Sequence, residues 1–189
     1  PTGKEVILQE EEVYFISEID NIREIMGLLG HEEKEAHKIR IVGGGRIGFY
    51  LAERLENIGD FNVKLLEINP ERAEFIASKL YNTTILNGDA LDQEILNEVN
   101  ISTTDTIITV SNDDEVNILS SLLAKKFGCK KSITLINSGS FTPLFSSLGI
   151  DVIVSPRSTT VSSILQHIRH GKVKAVSSLN DGKAEVIEA

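Results

Sequence analysis

From residue 38 onward the sequence alternates short apolar segments with amphipathic ones, and this alternation constrains the fold more than any other feature. The apolar segments are apolar throughout, which is typical of strands that helices cover on both faces. We predict strands at Lys38–Val42, Asn62–Ile68, Thr83–Leu86, Thr106–Val110, Ser132–Ile136 and Val152–Val154. The predicted helices are Ile47–Ile58, Pro70–Leu80, Gln93–Val99, Glu115–Phe127, Pro143–Leu148 and Ser158–Arg169.

The order of these elements predicts the topology. A strand, a helix and a parallel strand form a right-handed crossover, and repeated units of this kind build a doubly wound sheet. We therefore predict an α/β fold, a Rossmann-like doubly wound parallel sheet, over residues 38–171. In such sheets a ligand binds at the carboxyl ends of the strands, where the strand order reverses. The loops that follow the strands are therefore the candidate site.

The residues on either side of this sheet are predicted to form separate units. Residues 1–37 contain three basic and ten acidic residues and so carry most of the net charge of −9, which marks a boundary. This first unit is too small to bury a core alone and is expected to be the tail of a larger neighbour or a docking element. Its predicted elements are strands Glu5–Leu8 and Val13–Ile16 and helix Ile19–Leu29; strands Lys174–Ser178 and Ala184–Ile187 belong to a third unit, residues 172–189.

A run of glycines joins the first strand of the sheet to its first helix. The segment Gly43-Gly44-Gly45-Arg46-Ile47-Gly48 matches the pattern G-x-G-x-x-G. In this pattern the first glycine permits a tight turn, the second lets the backbone approach a pyrophosphate, and the third lets the helix pack closely. The helix N-terminus then offers free N–H groups and the positive end of the helix dipole to phosphate. The alternative is a sheet that keeps these glycines for packing alone.

An acidic residue closes the second predicted strand. Glu67 lies 19 residues after Gly48, which is the usual spacing between the glycine pattern and the carboxylate that binds ribose. A carboxylate there accepts hydrogen bonds from the ribose hydroxyls and repels a 2′-phosphate. The sequence therefore predicts NAD(H) or an adenosine nucleotide as ligand, rather than NADP(H).

Polar residues also follow the third and fourth predicted strands. Asp89 is a candidate contact for the adenosine half of a ligand, or alternatively a helix cap. Ser111 and Asn112 are predicted to line the crevice at the point where the strand order reverses. The acids after them, Asp114 and Glu115, are expected to favour the N-terminus of the next helix. We predict neither a metal site nor a catalytic residue in these loops.

Composition excludes several classes of function. The acidic balance disfavours a nucleic acid as partner, and no apolar run is long enough to cross a bilayer. Cys129 is the only cysteine; the neighbouring Lys130 and Lys131 could lower its pKa, but a lone cysteine is more often inert. His167 and His170 are expected to be exposed or to partner a helix C-terminus.

Taken together, these motifs resemble the regulator-of-potassium-conductance (RCK, or KTN) domain family. The resemblance covers the whole chain and matches the second of two nucleotide-binding halves, so the chain is expected to be an excerpt of a longer protein. Residues 1–37 then resemble the end of a small α+β C-terminal lobe with its linker, and residues 172–189 the start of another. The resemblance is carried by Gly43–Gly48, Lys64–Glu67, Pro70–Arg72, Gly88–Ala90, Asn112–Leu119 and Ser155–Arg157.

The resemblance implies a regulatory subunit rather than an enzyme. In this family NAD(H) or adenine nucleotides bind the crevice of a ring of domains that docks on the cytoplasmic face of a potassium-conducting membrane protein. The implied partners are a Trk-type membrane subunit and further copies of the chain, and the implied location is the cytoplasmic face of the membrane. Residues 43–47 are implied to hold the pyrophosphate, Glu67 the ribose, and Ser111 and Asn112 the crevice.

Two further expectations concern ligand and chemistry. Related first-half domains often carry an arginine on the fifth strand that meets phosphate, and Lys131–Asn137 has none. We therefore expect NAD(H), with AMP, ADP or ATP as alternatives and ATP the least favoured, although Arg46 could partly compensate. The competing hypothesis is an NAD-dependent oxidoreductase, which needs a substrate pocket and a positioned acid or base. The 40 residues after Gly149 offer neither.

Overall fold

A computed structural model describes residues 6, 8, 17–18, 21–30, 35–138, 148–168, 175–179 and 184–188. The chain divides into two compact units, residues 1–35 and residues 36–189. In the first unit a helix, α1, spans Ile22–Leu28, inside the range predicted for it. Apart from Val6 and Leu8, the hairpin predicted at residues 5–16 lies outside the described residues.

The second unit contains a six-stranded sheet in the order β3-β2-β1-β4-β5-β6, and every neighbouring pair is parallel. This order confirms the predicted doubly wound fold and places the reversal between β1 and β4. The strands are β1 Lys38–Val42, β2 Asn62–Glu67, β3 Thr84–Asn87, β4 Thr106–Thr109, β5 Lys131–Leu135 and β6 Val152–Val154. The helices are α2 Arg46–Ile58, α3 Pro70–Ala77, α4 Gln93–Glu98, α5 Asp114–Lys126 and α6 Pro156–Ile168.

Side chains on the two faces of the sheet build two separate cores. Ile39 and Ile41 of β1 pack with the α2 and α3 side, whereas Val42 packs with the α4 and α5 side. Successive residues of a strand point to opposite faces, so a strand covered on both faces is mostly apolar along its whole length. This is why the strands lack polar alternation in the sequence.

One element and one buried residue were not expected from the sequence, and one predicted helix lies mostly outside the described residues. A 3-10 helix at Ile101–Thr103 precedes β4 and was not predicted. Arg40 lies in the middle of β1 yet is only 2% exposed. Of the predicted helix Pro143–Leu148, only Leu148 is described, and it is helical. The last predicted strands form an antiparallel pair, β7 Ala175–Leu179 and β8 Ala184–Glu188.

The buried guanidinium of Arg40 is accommodated by carbonyl oxygens. Its Nε donates to the carbonyl of Val99 (2.6 Å) and its Nη1 to the carbonyl of Asn62 (3.0 Å). Burial lowers the pKa of Arg40, because the charged form loses its water. The side chain thereby ties β1 to β2 and to the end of α4.

Carboxylates join neighbouring strands at the amino end of the sheet. Asp105, just before β4, accepts the N–H groups of His37 (3.1 Å) and Lys38 (2.9 Å) and forms an ion pair with Lys130 (2.7 Å). The hydrogen bond from Lys130, followed by that from Lys38, holds the pKa of Asp105 well below its usual range. Burial alone would raise the pKa of Asp151, yet its hydrogen bonds from Lys125 and Ser132 lower it overall.

These shifts predict loss of stability in acid. A carboxyl group whose pKa is lower in the folded state stabilises the fold above its unfolded value, about 4, and loses that contribution as the pH falls through the folded value. We expect the free energy of unfolding to decrease between about pH 5 and pH 2, and to decrease less steeply in Asp105→Asn. Denaturant unfolding at a series of pH values measures both slopes.

The matched control is Asp60→Asn. The Asp60 side chain makes no hydrogen bond or ion pair with any described residue, and asparagine tolerates its φ of 63°. This control should keep the wild-type slope. A wild-type slope in Asp105→Asn as well would contradict the assignment.

Candidate functional site

A cleft of about 670 Å³ opens at the carboxyl edge of the sheet, beside the reversal in strand order. Its volume lies in the range of small-molecule sites. Six of the predicted site residues line it: Gly43, Gly45, Glu67, Asp89, Ser111 and Asn112. Four others, Gly44, Arg46, Ile47 and Gly48, belong to the same loop and helix start but do not line the cleft.

Two glycines of the loop at the strand reversal, Gly43 and Gly48, pack tightly against neighbouring backbone atoms. Gly43 has φ of 100°, and a Cβ there would lie 2.8 Å from the backbone of Ser111. A Cβ on Gly48 would meet the carbonyl oxygen of Gly43. Both positions therefore require glycine for packing, as the pattern predicts for its first and third positions.

Gly45 differs from these two because the space beside it is open. It is the N-cap residue of α2, with an extended backbone at φ −60°, and a Cβ there would have no other atom within 4 Å. The 13-residue α2 starts directly after Gly45, which lines the cleft, so the positive end of the helix dipole lies at the cleft edge. Packing does not require glycine at position 45, and the open space fits the close approach of a ligand phosphate.

A closed ring of four hydrogen bonds joins the glycine loop to the end of β2 and the start of α3. The carboxylate of Glu67 accepts the N–H of Gly44 at 2.6 Å and the N–H of Asn69 at 2.8 Å. The side chain of Asn69 caps α3 by accepting the N–H of Arg72 at 2.8 Å. Nε of Arg72 closes the ring by donating to the carbonyl of Gly44 at 2.8 Å. We call this set, Glu67, Asn69, Arg72 and Gly44, the Gly44 ring.

Two members of this ring, Asn69 and Arg72, also line the cleft and were not assigned from the sequence. The available signal was local: Asn69-Pro70 marks a helix start, and Arg72 sits in the first helical turn after Glu67. The contact of Arg72 with a loop 28 residues away has no local signature.

The opposite wall of the cleft is held by one buried amide. Asn117, in α5, is fully buried; its Oδ1 accepts the N–H of Ser111 (2.8 Å) and its Nδ2 donates to the carbonyls of Ser111 and Leu135 (3.0 Å each). Asp113 caps α5 by accepting the N–H groups of Glu115 and Val116. Asn117 was not predicted as a site residue, because a polar residue inside an amphipathic helix is ordinarily exposed.

The remaining predicted acids have distinct partners. Asp89 accepts the N–H of Leu91 (2.8 Å), whereas Asp92 caps α4, so the helix-cap alternative for Asp89 is wrong. Asp114 lies in the first turn of α5, as expected, and accepts the N–H groups of Asn137 (2.9 Å) and Ser138 (2.8 Å). Burial alone would raise the pKa of Asp114, but these hydrogen bonds hold it below its usual value.

Comparison with known proteins identifies the family. The TrkA-N domain family matches residues 39–156, which is more than half of the chain. The chain belongs to the TrkA-N domain family. Trk system potassium uptake protein TrkA from Vibrio alginolyticus is 44% identical over 189 residues, covering 100% of this chain and 41% of that protein. A TrkA homolog from Methanosarcina mazei is 34% identical over 188 residues, covering 100% of this chain and 42% of that protein. The chain thus spans about two-fifths of the length of these relatives.

Solved structures share the fold at low identity. The TrkA-N domain of inner membrane protein ybaL from Escherichia coli has a TM-score of 0.64 at 15% identity, covering 72% of this chain and 100% of that one. The GsuK channel bound to NAD has a TM-score of 0.61 at 17% identity, covering 85% of this chain and 29% of that one. GsuK bound to ADP has a TM-score of 0.59 at 22% identity, covering 71% of this chain and 34% of that one. The Shewanella denitrificans Kef CTD in its AMP-bound form has a TM-score of 0.57 at 15% identity, covering 71% of this chain and 82% of that one. The family match and the identity to TrkA, together with this shared fold, confirm the resemblance to RCK domains.

Cys129 of this TrkA-N domain does not line the cleft. Cys129 is buried, and burial raises the pKa of its thiol, so the alternative of a lowered pKa is wrong. The described residues include no group of three or more His, Cys, Asp or Glu that could hold a metal ion. Among the same residues, no helix is long and apolar enough to cross a membrane. The His167 side chain and His170 lie outside the described part of the chain.

Two of the glycines that line the cleft, Gly43 and Gly45, are expected to differ in how much a substitution affects stability. Gly43→Ala places a Cβ against Ser111 at a positive φ and is expected to lower the free energy of unfolding by about 1–3 kcal/mol. Gly45→Ser places a favoured N-capping residue in open space and is expected to change it by less than about 0.5 kcal/mol. Chemical denaturation of both variants and wild type measures the difference. Equal destabilisation by the two substitutions would contradict the loop geometry.

Proposed function

We propose that this chain is a nucleotide-sensing regulatory domain that binds NAD(H) or an adenine nucleotide in the cleft. The observation that carries the proposal is the open space beside Gly45 at the start of α2, next to the Glu67 carboxylate at the end of β2. A pyrophosphate fits the first position and a ribose the second, which is how Rossmann sheets bind dinucleotides. The N-terminal groups of α2 would hold the phosphates, and Glu67 the ribose.

The charge of the lining favours ligands with few negative charges. Glu67, Asp89 and Asp113 bring three carboxylates to the cleft, against one cation, Arg72, among the described lining residues. Like charges at short range raise the cost of bringing a triphosphate into such a site. We therefore propose NAD(H) as the ligand, then AMP or ADP, with ATP least favoured. Related structures bound to NAD, ADP and AMP support this range.

We propose regulation rather than catalysis. The titratable groups that line the described cleft are three carboxylates and Arg72, and each of them already holds backbone groups. None is a histidine, lysine, tyrosine or cysteine of the kind that moves a proton in hydride-transfer enzymes. These features favour a binding domain over the competing oxidoreductase hypothesis.

The proposed partners follow from family membership. Relatives over 40% identical are Trk system potassium uptake proteins, and we propose that this chain regulates a Trk-type potassium-conducting membrane subunit from its cytoplasmic face. A ligand can bias such a partner only if it binds two arrangements of the assembly with different affinities. The proposal therefore includes a homo-oligomer of TrkA-N domains.

Nucleotide binding is tested by thermal unfolding and calorimetry with NAD+, NADH, AMP, ADP and ATP. A ligand at about 100 times its dissociation constant should stabilise the protein by about 2.7 kcal/mol. We expect Gly45→Val to abolish this stabilisation, because its side chain fills the space beside the N-terminus of α2, while the melting temperature without ligand changes little. Undiminished binding by the folded variant, or tightest binding of ATP, would contradict the proposed site or ligand order.

Assembly is tested through the exposed face of α6. Val161 and Ile164 are 49% and 52% exposed, and Val154 of the neighbouring β6 is 38% exposed. Covering such side chains gains about 25 cal/mol per Å², so we expect an oligomer that uses this face. Light scattering should give at least twice 20.8 kDa for wild type and a smaller mass for Val161→Glu/Ile164→Glu. A monomeric wild type at tens of micromolar would refute the assembly through this chain alone.

A further inference from the structure

Gly44 is held from both sides by side chains of opposite charge. The carboxylate of Glu67 accepts its N–H at 2.6 Å, and the guanidinium of Arg72 donates to its carbonyl at 2.8 Å. The two charges therefore lie within one residue of each other, at the end of the cleft where β2 stops. In Rossmann sheets this end meets the ribose next to adenine, and the residues there decide whether a 2′-hydroxyl or a 2′-phosphate is accepted.

The Glu67 carboxylate keeps capacity for a ligand. Each of its oxygens accepts one backbone N–H, from Gly44 and Asn69, and an ionised carboxylate has about four lone-pair sites. One further hydrogen bond per oxygen is available to ribose hydroxyls. Those two backbone hydrogen bonds also hold the carboxylate in place. Its negative charge would therefore repel a 2′-phosphate on a ribose bound there.

The guanidinium of Arg72 is equally fixed and is only partly used. Its carbon lies 5.0 Å from the ring centre of Phe75 and 5.9 Å from that of Phe49, so the group packs against two aromatic rings. Nε is taken by Gly44, whereas the terminal nitrogens have no hydrogen-bond partner among the described residues. A guanidinium edge of this kind matches a phosphate in two parallel hydrogen bonds.

We propose, on the basis of the proposed nucleotide function, that Arg72 is a specificity-determining residue that reads the ribose 2′ position together with Glu67. Glu67 binds the 2′-hydroxyl and opposes a 2′-phosphate, while Arg72 offsets that repulsion and donates to a 2′-phosphate when one is present. The preference for NAD(H) over NADP(H) is then set by the pair across Gly44, and it is weaker than Glu67 alone would impose.

The test compares NAD+ with NADP+, which differ only in the 2′-phosphate. The ratio of the two dissociation constants cancels any change in the loop that weakens both ligands equally. Calorimetry should show that Arg72→Gln shifts this ratio about tenfold or more against NADP+, as expected for a lost hydrogen bond to a charged group. Glu67→Gln should shift it about tenfold towards NADP+, and adding Arg72→Gln should remove that gain.

The matched control is Lys79→Gln. Nζ of Lys79 lies 5.8 Å from the same Phe75 ring, but Lys79 does not line the cleft, so its removal should leave the ratio within about twofold of wild type. AMP and adenosine 2′,5′-bisphosphate should show the same pattern without the nicotinamide.

An unchanged ratio in Arg72→Gln, in both backgrounds and with both ligand pairs, overturns the assignment of Arg72, even if both ligands bind more weakly. If Glu67→Gln does not shift the ratio of dissociation constants towards NADP+, the assignment of Glu67 and Arg72 as a pair is overturned. A wild type that binds none of the four nucleotides overturns the proposed function itself, which is a distinguishable result.

Discussion

The hydrogen bond between the N–H of Gly44 and the carboxylate of Glu67 is the interaction on which the site depends. The three consecutive glycines, Gly43–Gly45, have no side chains that could anchor the loop. Glu67 supplies the anchor on one side of Gly44 and Arg72 supplies it on the other. Hydrogen bonds to charged groups are stronger than those between neutral groups, so the Gly44 ring positions the loop before any ligand arrives.

The second wall of the cleft is also held by a side chain that binds the backbone, but this side chain is neutral. Asn117 satisfies both backbone groups of Ser111 from inside the core, where an unsatisfied polar group would cost about 1–3 kcal/mol. Ser111 in turn contacts Gly43 so closely that no side chain fits between them. The two walls therefore meet at the β1–β4 reversal, and the open space at Gly45 is what they leave for a ligand.

The sequence predicted the parts of this structure that depend on local pattern. Continuous apolar strands, the glycine spacing and the position of Glu67 identified the fold, its family and one edge of the cleft. Arg72, Asn117 and Arg40 were not assigned, because each acts through backbone groups that are distant in sequence: Gly44, Leu135 and Val99. Periodicity states which face of an element is apolar, but it does not state which carbonyl a buried polar group will meet.

The helix α5 connects the cleft to the residues that follow β5. Asp113 caps the helix from the cleft side, and the next residue, Asp114, binds the N–H groups of Asn137 and Ser138. A displacement of the cleft loop at 111–113 would therefore reach residues 137–138 through one helix end, without repacking the core. A ligand has regulatory effect only to the extent that its affinity differs between such arrangements. Under the proposed regulatory function, the first turn of α5 is a place where that difference can arise, because Val116 lines the cleft and Asp114 binds residues 137 and 138.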